Sequence, residues 1–483
     1  MAYRCGNGYQ MDLMPPSIEE YVAQDNPVRV YDAFVESLDF RELGIEINPG
    51  KVGNSEYEPR SMFKLLVYGY SYGVKSSRKL ERECHHNMAF IWLMGGLRPD
   101  HKTIAEFRRR NRHALQKMLR QCARMCIKFK LIAGNVLFLD GMKIRANAGR
   151  DSSHDRAYYE KLLKKLDGRI KQLLEDCEAA DRSEEGAPSY VAMDKELAKS
   201  QNLKDRIKEA LSIFAFGNRQ KVNQTDPDCA IMHSLQGTHA AYNVQSVVDD
   251  QHGLILQVEA VTDTNDALQF SRQIEQANEV LGKSCEVACA DAGYSDVGNL
   301  EEIDAQQIKV IVPSQRQALH EEEGPFSKSH FTYDLQQDCY FCPEGYRLRY
   351  SYTNTKNGKR QYRIEDKNLC HHCPHYGQCT KADRGRSIIR LRNEKVKLKL
   401  EAQYEESSSQ DVYARRKTRV EHPFGHIKRN LKTDSFLLRG LEGVQAETSL
   451  LATCFNVARM ITILGVGKLI DKLSGLKMVP VCC

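Results

Sequence analysis

The chain has 483 residues, enough for about two to four domains and a sizeable hydrophobic core. Its hydrophobic share of 41% and its charged share of 28% are ordinary for a soluble globular protein. No apolar run reaches membrane-spanning length, and residues 1–16 contain no continuous apolar segment typical of a secretory signal. We therefore expect a cytoplasmic protein without a membrane span, whose 16 cysteines are reduced thiols or metal ligands.

The net charge of +6 is modest for this length, but the basic residues are concentrated in two clusters. Such clusters suit binding to a phosphate backbone, although a solvated helix face would have the same composition. The two clusters are Arg108, Arg109, Arg110 and Arg112, and Arg415, Arg416, Lys417, Arg419, Lys428, Arg429 and Lys432.

Residues 16 to 130 have the spacing of short helices separated by turns. Pro59 fits the first turn of one helix, Ser76 or Ser77 can cap a second, and a third begins near Asp100. Because arginines lie on the later helices, the pattern is compatible with a helix-turn-helix-like DNA-binding domain. Any small helical bundle would show the same periodicity.

Two acidic residues follow apolar runs that read as buried strands. Val136 to Leu139 lead into Asp140, and Val287 to Ala290 lead into Asp291. An unpaired carboxylate beside a buried strand is costly, so a metal ion is the best candidate to compensate its charge. A turn residue or a helix cap is the alternative for either aspartate alone.

The stretch between the two aspartates predicts an α/β domain with an insertion. Tyr158 to Phe214 carries two apolar stripes separated by a polar linker, which indicates a helical hairpin inserted between strands. Two strands joined by a turn at Asp249 to Gly253 follow, and strands then alternate with helices. This alternation predicts a mixed sheet flanked by helices.

Residues 316–388 are polar and contain five cysteines in two groups. Paired thiolates at Cys-x2-Cys spacing, separated by a hairpin-sized stretch, suit a tetrahedral structural Zn²⁺ site in a ribbon-like fold, with free thiols as the alternative. The sequence leaves open which four residues bind, and the possible ligands are Cys339, Cys342, Cys370, Cys373, Cys379, His371, His372 and His375.

Near the C-terminal end, Glu421 and Lys428 fall on one face of a predicted helix that contains Pro423. That face can bind a metal ion and the phosphate it polarises, or it can carry an ordinary surface ion pair. Together with Asp140 and Asp291, Glu421 can hold two Mg²⁺ ions (or Mn²⁺), because hard cations prefer oxygen ligands. Two such ions about 3.5 to 4 Å apart can activate the attacking oxygen and stabilise the departing one in phosphodiester displacement.

These residues occur in an order that is specific when taken together. The single residues are Asp140, Asp291 and Glu421, with Tyr413, Arg416 and Lys428. The accompanying blocks are DHKTIAEFRR at Asp100 to Arg109, NQTDPDCAIM at Asn223 to Met232, AYNVQ at Ala241 to Gln245, and the cysteines Cys342, Cys370, Cys373 and Cys379. In this order they resemble the DDE transposases of bacterial insertion sequences, in the branch with a Tyr-Arg-Glu-Lys signature.

The resemblance implies a ribonuclease-H-like core, metal-dependent DNA cleavage and strand transfer, and recognition of terminal inverted repeats. It also implies double-stranded DNA partners, namely the element ends and the target, bound by at least a dimer that is nucleoid-associated when on DNA. In the signature, three residues separate the arginine from the glutamate, whereas four separate Arg416 from Glu421; Lys417 has the expected spacing. In the zinc-ribbon-like insertion, the cysteine corresponding to Cys339 is less regular.

Two rival functions share these features, namely a hydrolytic nuclease of the same fold and a non-enzymatic DNA-binding regulator derived from a transposase.

Read with this resemblance, the sequence divides into five segments. The predicted segments are a helical DNA-binding domain (1–130), a ribonuclease-H-like core (131–315 and 389–450), a helical hairpin within it (151–220), a zinc-binding insertion (316–388), and a C-terminal helix and tail (451–483).

Overall fold

The structure is a computed structural model, in which the described chain forms two compact units. The first unit comprises Met1–Asp266, Arg272–Cys285 and Arg416–Cys483, and the second comprises Ala267–Ser271 and Glu286–Arg415. Residues 1–16 of the predicted helical domain and residues 477–483 of the predicted tail lie outside the described residues. The structure describes residues 17–48, 56–182, 187–216, 219–234, 237–320, 322, 324–355 and 358–476.

The helices and strands are numbered in chain order. The helices are α1 (Val28–Glu36), α2 (Pro59–Ser71), α3 (Ser77–His86), α4 (Met88–Leu93), α5 (His101–Arg110), α6 (Arg112–Lys128), α7 (Arg156–Arg182), α8 (Ala187–Phe216), α9 (Phe270–Leu281), α10 (Val297–Asp304), α11 (Gln315–Ala318), α12 (Lys367–His371), α13 (Glu394–Glu405), α14 (Ser407–Arg429), α15 (Leu441–Leu464) and α16 (Val466–Ser474). The strands are β1 (Val136–Arg145), β2 (Ser153–His154), β3 (Val222–Asn223), β4 (Ala230–Ser234), β5 (Gly237–Asp249), β6 (Ile255–Val261), β7 (Val287–Cys289), β8 (Lys309–Ile311), β9 (Thr332–Asp334), β10 (Cys339–Phe341), β11 (Arg347–Thr353), β12 (Arg360–Ile364) and β13 (Ser387–Arg390).

The described N-terminal region is all-helical, as predicted. The Asp100 carboxylate caps α5 by accepting the backbone N–H groups of Lys102 and Thr103. The helix predicted to begin near Asp100 is α5, and α6 follows it directly after Asn111. The Asn111 side chain donates to the carbonyl of Phe107, and local side-chain hydrogen bonds of this kind compete with helix continuation.

The strands of the first unit pair antiparallel around β5. β1 pairs with β5, and β4 and β6 also pair with β5. In this register Asp140 lies opposite Ser246, and Lys143 lies opposite Asn243. Directly opposed residues in an antiparallel pair present their side chains on the same face of the sheet, so the register fixes which side chains are neighbours.

The helical hairpin forms as predicted from α7 and α8. Tyr159, Ile207, Ala210 and Val222 are buried together at its base. The Tyr159 hydroxyl donates to the carbonyl of Val222 at 2.9 Å, which ties the hairpin to β3. Residues 183–186, in the polar linker between the two helices, are among those that the structure does not describe.

α15 is the core helix of the first unit. It runs from Leu441 to Leu464, across the predicted segment boundary at residue 451, and is buried along most of its length. It packs against α2, α6 and β6. No single described helix is long and apolar enough to cross a membrane; α15 and α16, bent by 114°, meet that criterion only as a pair.

In the second unit, β7 and β8 pair in parallel, so strand pairing in the chain is mixed, as the α/β prediction requires. Residues 316–388 contain a five-stranded antiparallel sheet in the order β13-β12-β11-β10-β9. Its core is aromatic and aliphatic, and it consists of Phe331, Tyr340, Leu348, Tyr362, Ile364 and Ile388.

A buried amide joins α15 to the sheet and supplies a test of this packing. The Asn456 side chain accepts the backbone N–H of Ile255 at 2.9 Å and donates to its carbonyl at 2.8 Å. Asn456→Ala leaves both buried backbone groups unpaired, so we expect it to destabilise the protein by about 2–4 kcal/mol. The measurement is the thermal unfolding midpoint, with Gln116→Ala as a control that should stay within about 1 °C of wild type. An unchanged midpoint for Asn456→Ala would contradict this account of the core.

Candidate active site

The first predicted acid, Asp140, lies in β1 beside an arginine of α14. The Asp140 Oδ2 atom is 3.6 Å from Nη1 of Arg416, and both side chains are mostly buried, at 21% and 15% exposed. The Asp140 Oδ1 atom also accepts the backbone N–H of Gly141 at 2.9 Å. Lys417, the alternative by spacing, is exposed, so Arg416 is the basic residue of this pair that accompanies Asp140.

A cleft of about 590 Å³ lies where α14 faces the later part of β1. Glu421, Phe424 and Lys428 line it from α14, and Glu421 and Lys428 are exposed. A carboxylate and an ammonium group therefore share one cleft, in which they can attract a cation and a phosphate respectively. The residues that line the cleft from the strands and their connections include Gly141, Lys143, Arg145, Met232, His233, His239, Asn243, Asp266 and Asp434.

Sequence reasoning missed most of this lining. Asn243 lies within the AYNVQ block, which enters the prediction only through the resemblance, and no predicted motif contains Asp266. The available signal was polar residues within an otherwise apolar strand, because a buried polar group needs a partner. Asn243 and Gln245 are two such residues, and both are almost fully buried.

Asp291 and Tyr413 belong to the second unit. Asp291 follows β7, and its carboxylate accepts the backbone N–H of Gly293 at 2.8 Å, so it caps a short 3-10 turn. This cap uses one of the two carboxylate oxygens of Asp291, Oδ1. The Tyr413 ring packs edge-on against Tyr404, with the ring centroids 5.2 Å apart.

The three N-terminal arginines differ in exposure. Arg108 is only 6% exposed, and it donates to the Tyr70 hydroxyl at 2.9 Å and to the Lys75 carbonyl at 3.0 Å. The prediction that Arg108 contacts DNA is therefore corrected, because its guanidinium binds other parts of the helical region. Arg109 and Arg110 are exposed and bind Glu106. The hydrogen bond from Arg109, and after it the one from Arg110, lowers the pKa of the Glu106 carboxyl to about 2.

Four cysteines of the second unit line one small cavity of about 30 Å³. The sulfur of Cys342 accepts the backbone N–H of Tyr346 at 3.3 Å, and that of Cys370 accepts the backbone N–H of Arg386 at 3.5 Å. Burial raises the pKa of the Cys379 thiol, and the other three cysteines raise it further. The four cysteines are Cys342, Cys370, Cys373 and Cys379.

The other possible ligands differ in position. Cys339 is fully buried in β10 and does not line this cavity. His375 lines it, but its Nε2 atom is 3.1 Å from a Glu344 oxygen. His372 uses its Nδ1 atom toward the Asn368 carbonyl at 2.8 Å.

Within the part of the chain that the structure describes, no group of three or more His, Cys, Asp or Glu side chains is already arranged to hold a metal ion. The four cysteines line one cavity, but their side chains do not have the mutual geometry of a bound site. The same holds for the carboxylates near α14.

Two family models match parts of the chain. Residues 341–461 match the family model described as Transposase DDE domain, and residues 16–110 match the one described as Transposase domain (DUF772). The first match covers the four cysteines of the cavity as well as Arg416, Glu421 and Lys428. The chain matches none of the curated proteins and none of the solved structures with which it was compared. The two family matches support the assignment that the sequence motifs predicted, a DDE transposase of an insertion sequence, and transposases act on DNA.

Two histidines follow Glu421 along α14 and pack against α15. The rings of His422 and His426 pack edge-on against Phe455, with centroid distances of 5.6 and 5.4 Å. Burial lowers the pKa of both histidines; Arg459 lowers that of His422 further, and His422 lowers that of His426 further.

Because the folded-state pKa values are depressed, the neutral rings stabilise the fold above the unfolded-state pKa of about 6.5, and this stabilisation is lost as the pH falls through the folded-state values. We expect the double variant His422→Gln/His426→Gln to lose less thermal stability than wild type between about pH 8 and pH 5. The measurement is the unfolding midpoint of both proteins across that range. Equal losses in the two proteins would contradict the assignment.

Proposed function

We propose that the protein binds the terminal inverted repeats of an insertion sequence and catalyses metal-dependent DNA cleavage and strand transfer. The proposal includes a ribonuclease-H-like arrangement of its catalytic core. The observation that carries it is that Glu421 and Lys428 line one cleft, on a helix within the residues that match the DDE family. A nuclease or a regulator of the same ancestry is the alternative outcome of the experiments below.

Asp140, Asp291 and Glu421 are the proposed ligands of two catalytic Mg²⁺ or Mn²⁺ ions. Their chemistry fits these hard cations, because all three offer carboxylate oxygens, and the Glu421 side chain is exposed to the cleft. When bound, the ions activate the attacking oxygen and stabilise the departing oxygen of the phosphodiester.

The basic residues around these acids have separate roles in the proposal. Arg416 offsets the Asp140 charge and holds the carboxylate in place across their 3.6 Å contact. Lys428 binds a backbone phosphate next to the scissile bond, and Tyr413 contacts the same DNA. Arg109 and Arg110 are exposed on α5 and bind DNA phosphates farther along the duplex.

The four cysteines around the small cavity are the proposed ligands of a structural Zn²⁺ ion. Four thiolates are a closed, tetrahedral ligand set for zinc. The backbone N–H groups that reach the sulfurs of Cys342 and Cys370 are the kind of donors that orient and stabilise metal-bound thiolates. Zinc would stabilise a segment whose own core is small.

We also propose that at least two protomers act together on DNA, because strand transfer needs both ends of the element. The duplex for the experiments is copied from the inverted repeats in the DNA that flanks the coding sequence.

Removal of the proposed acids tests the chemistry. We expect Asp140→Ala, Asp291→Ala and Glu421→Ala each to lower the single-turnover cleavage rate by about a hundredfold or more, because each removes a group that stabilises charge in the transition state. Binding of the same duplex, measured by fluorescence anisotropy, should change by less than about threefold, since phosphate contacts dominate affinity.

Asp250→Asn is the matched control. Asp250 pairs with Arg419 of α14 at 3.2 Å, as Asp140 pairs with Arg416 of that helix, but Asp250 is not a proposed metal ligand. A variant of one of the three acids that cuts at the wild-type rate would remove that residue from the proposal. Cleavage without ligated products, when target DNA is supplied, would favour the nuclease, and unchanged behaviour of every acid variant would favour the regulator.

The zinc site is tested by metal analysis of purified protein. We expect about one zinc ion per wild-type chain, and its loss in Cys370→Ser and Cys373→Ser, because a three-thiolate remainder binds zinc more weakly. Cys339→Ser should retain zinc, since Cys339 is buried in β10 outside the cavity. Absence of zinc from wild type, or its retention in both cavity variants, would reject the site.

A further inference from the structure

Asn243 occupies a distinctive place in the cleft. It lies on β5 opposite Lys143 of β1 and lines the same cleft as Glu421 and Lys428. Its side chain is only 1% exposed, so its polar atoms have little access to bulk water. Its hydrogen bonds must therefore come from neighbouring residues or from a ligand in the cleft.

The amide of Asn243 has a fixed orientation. Its Nδ2 atom donates to Oδ1 of Asp266 at 2.6 Å and to the carbonyl of Asp263 at 3.3 Å. Gln245, two residues along the strand, donates from Nε2 to the same Asp266 oxygen at 2.7 Å. Because the carboxylate accepts from both amide nitrogens, a flip of the Asn243 side chain would place oxygen against oxygen.

The carbonyl oxygen of Asn243 has no hydrogen-bond partner among the residues that the structure describes. The two other buried asparagines described in this unit are satisfied on this side, whereas the buried Gln273 also has an unpaired carbonyl oxygen. The Oδ1 atom of Asn223 accepts the backbone N–H groups of Thr225 and Asp226, and that of Asn456 accepts the N–H of Ile255. An acceptor that is buried, oriented and unpaired at a cleft wall is suited to a donor on a bound molecule.

The chemistry of DNA limits what that donor can be. Phosphate and deoxyribose within an uncut strand offer only acceptors, so the donor must be an N–H group of a base. The cleft suits a nucleotide in other respects, because Lys143 and Lys428 can meet its phosphates while Phe424 and Met232 offer apolar surface. The 3′ hydroxyl released by cleavage is the other donor that a DNA substrate can supply.

We propose that Asn243 accepts a hydrogen bond from a base N–H group of the nucleotide that enters this cleft, and so selects the base at one position near the cleavage site. Asp266 and Gln245 are positioning residues that hold the amide with its oxygen toward the ligand. This inference rests on the proposed function, since it concerns the DNA that the same cleft binds.

The test uses the full-length protein and duplexes copied from the element's end, with each base pair near the cleavage site replaced in turn. We expect wild type to prefer one base at one position by about three- to tenfold in kcat/KM, the range of a single hydrogen bond. Replacement of that base by an analogue without the N–H group should lower the kcat/KM of wild type by the same factor. In Asn243→Ala, the preference and the analogue effect should both disappear.

Asp266→Ala tests the positioning role without touching the acceptor, because it removes the oxygen that accepts from both Asn243 and Gln245. We expect it to weaken the same base preference while other positions are unaffected. Gln116→Ala, which does not line this cleft, is the control and should keep the full preference. Thermal melting reports whether each variant is folded; if Asn243→Ala is not, the analogue on wild type and Asp266→Ala decide.

The failures are distinguishable. If wild type cuts DNA but shows no analogue effect at any position, or if Asn243→Ala keeps the base preference, the inference is overturned and the proposed transposase function stands. If the defect of Asn243→Ala is confined to strand joining and matches that of a 3′-deoxy end on wild type, the donor is the hydroxyl and the base inference is overturned. If wild type cuts no duplex, the proposed function fails and this inference fails with it.

Discussion

The burial of α15 is the constraint on which the first unit depends. A helix surrounded by protein on most sides must satisfy most of its polar side chains internally, and three polar side chains of α15 bind backbone groups of other elements. Asn456 binds both polar groups of Ile255, Gln445 binds the backbone of Val258 and Ala260, and Glu447 accepts two N–H groups of the segment that follows α14. Each bond fixes the distance between α15 and a neighbouring element. The helix therefore positions these elements as well as excluding water from the core.

This arrangement determines where α14 lies. Phe455 of α15 supports the rings of His422 and His426, and both histidines follow Glu421 closely in the sequence. At its other contact, Arg416 of α14 meets Asp140 of β1. A rigid helix held at both places presents Glu421 and Lys428 to the cleft without help from mobile loops, which is the usual requirement for groups that must meet a phosphate accurately.

Much of the fold was predictable because its signals are local. The apolar run before Asp140, the turn between β5 and β6, and the two stripes of α7 and α8 each follow from periodicity within a few residues. The family motifs added the order of acids, which composition alone does not contain.

The sequence could not supply features that depend on contacts between distant residues. Arg108 carries the same charge as Arg109, and only the position of Tyr70 shows that Arg108 is buried. The bond between Asp266 and Asn243 joins residues that are 23 positions apart, so no short pattern predicts it. Cys339 and Cys342 differ in the same way, since only the packing of β10 places one thiol in the core and the other at the cavity.

The register of β5 has an evolutionary consequence. Side chains alternate between the two faces of a strand, so a single inserted residue ahead of Asn243 would turn Asn243 and Gln245 away from Asp266 and also invert the buried face of the sheet. Changes of length in this strand therefore carry a penalty that point substitutions avoid. If Asn243 selects a base as proposed, a change in that preference needs only the exchange of one side chain at this position, with the strand around it kept at constant length.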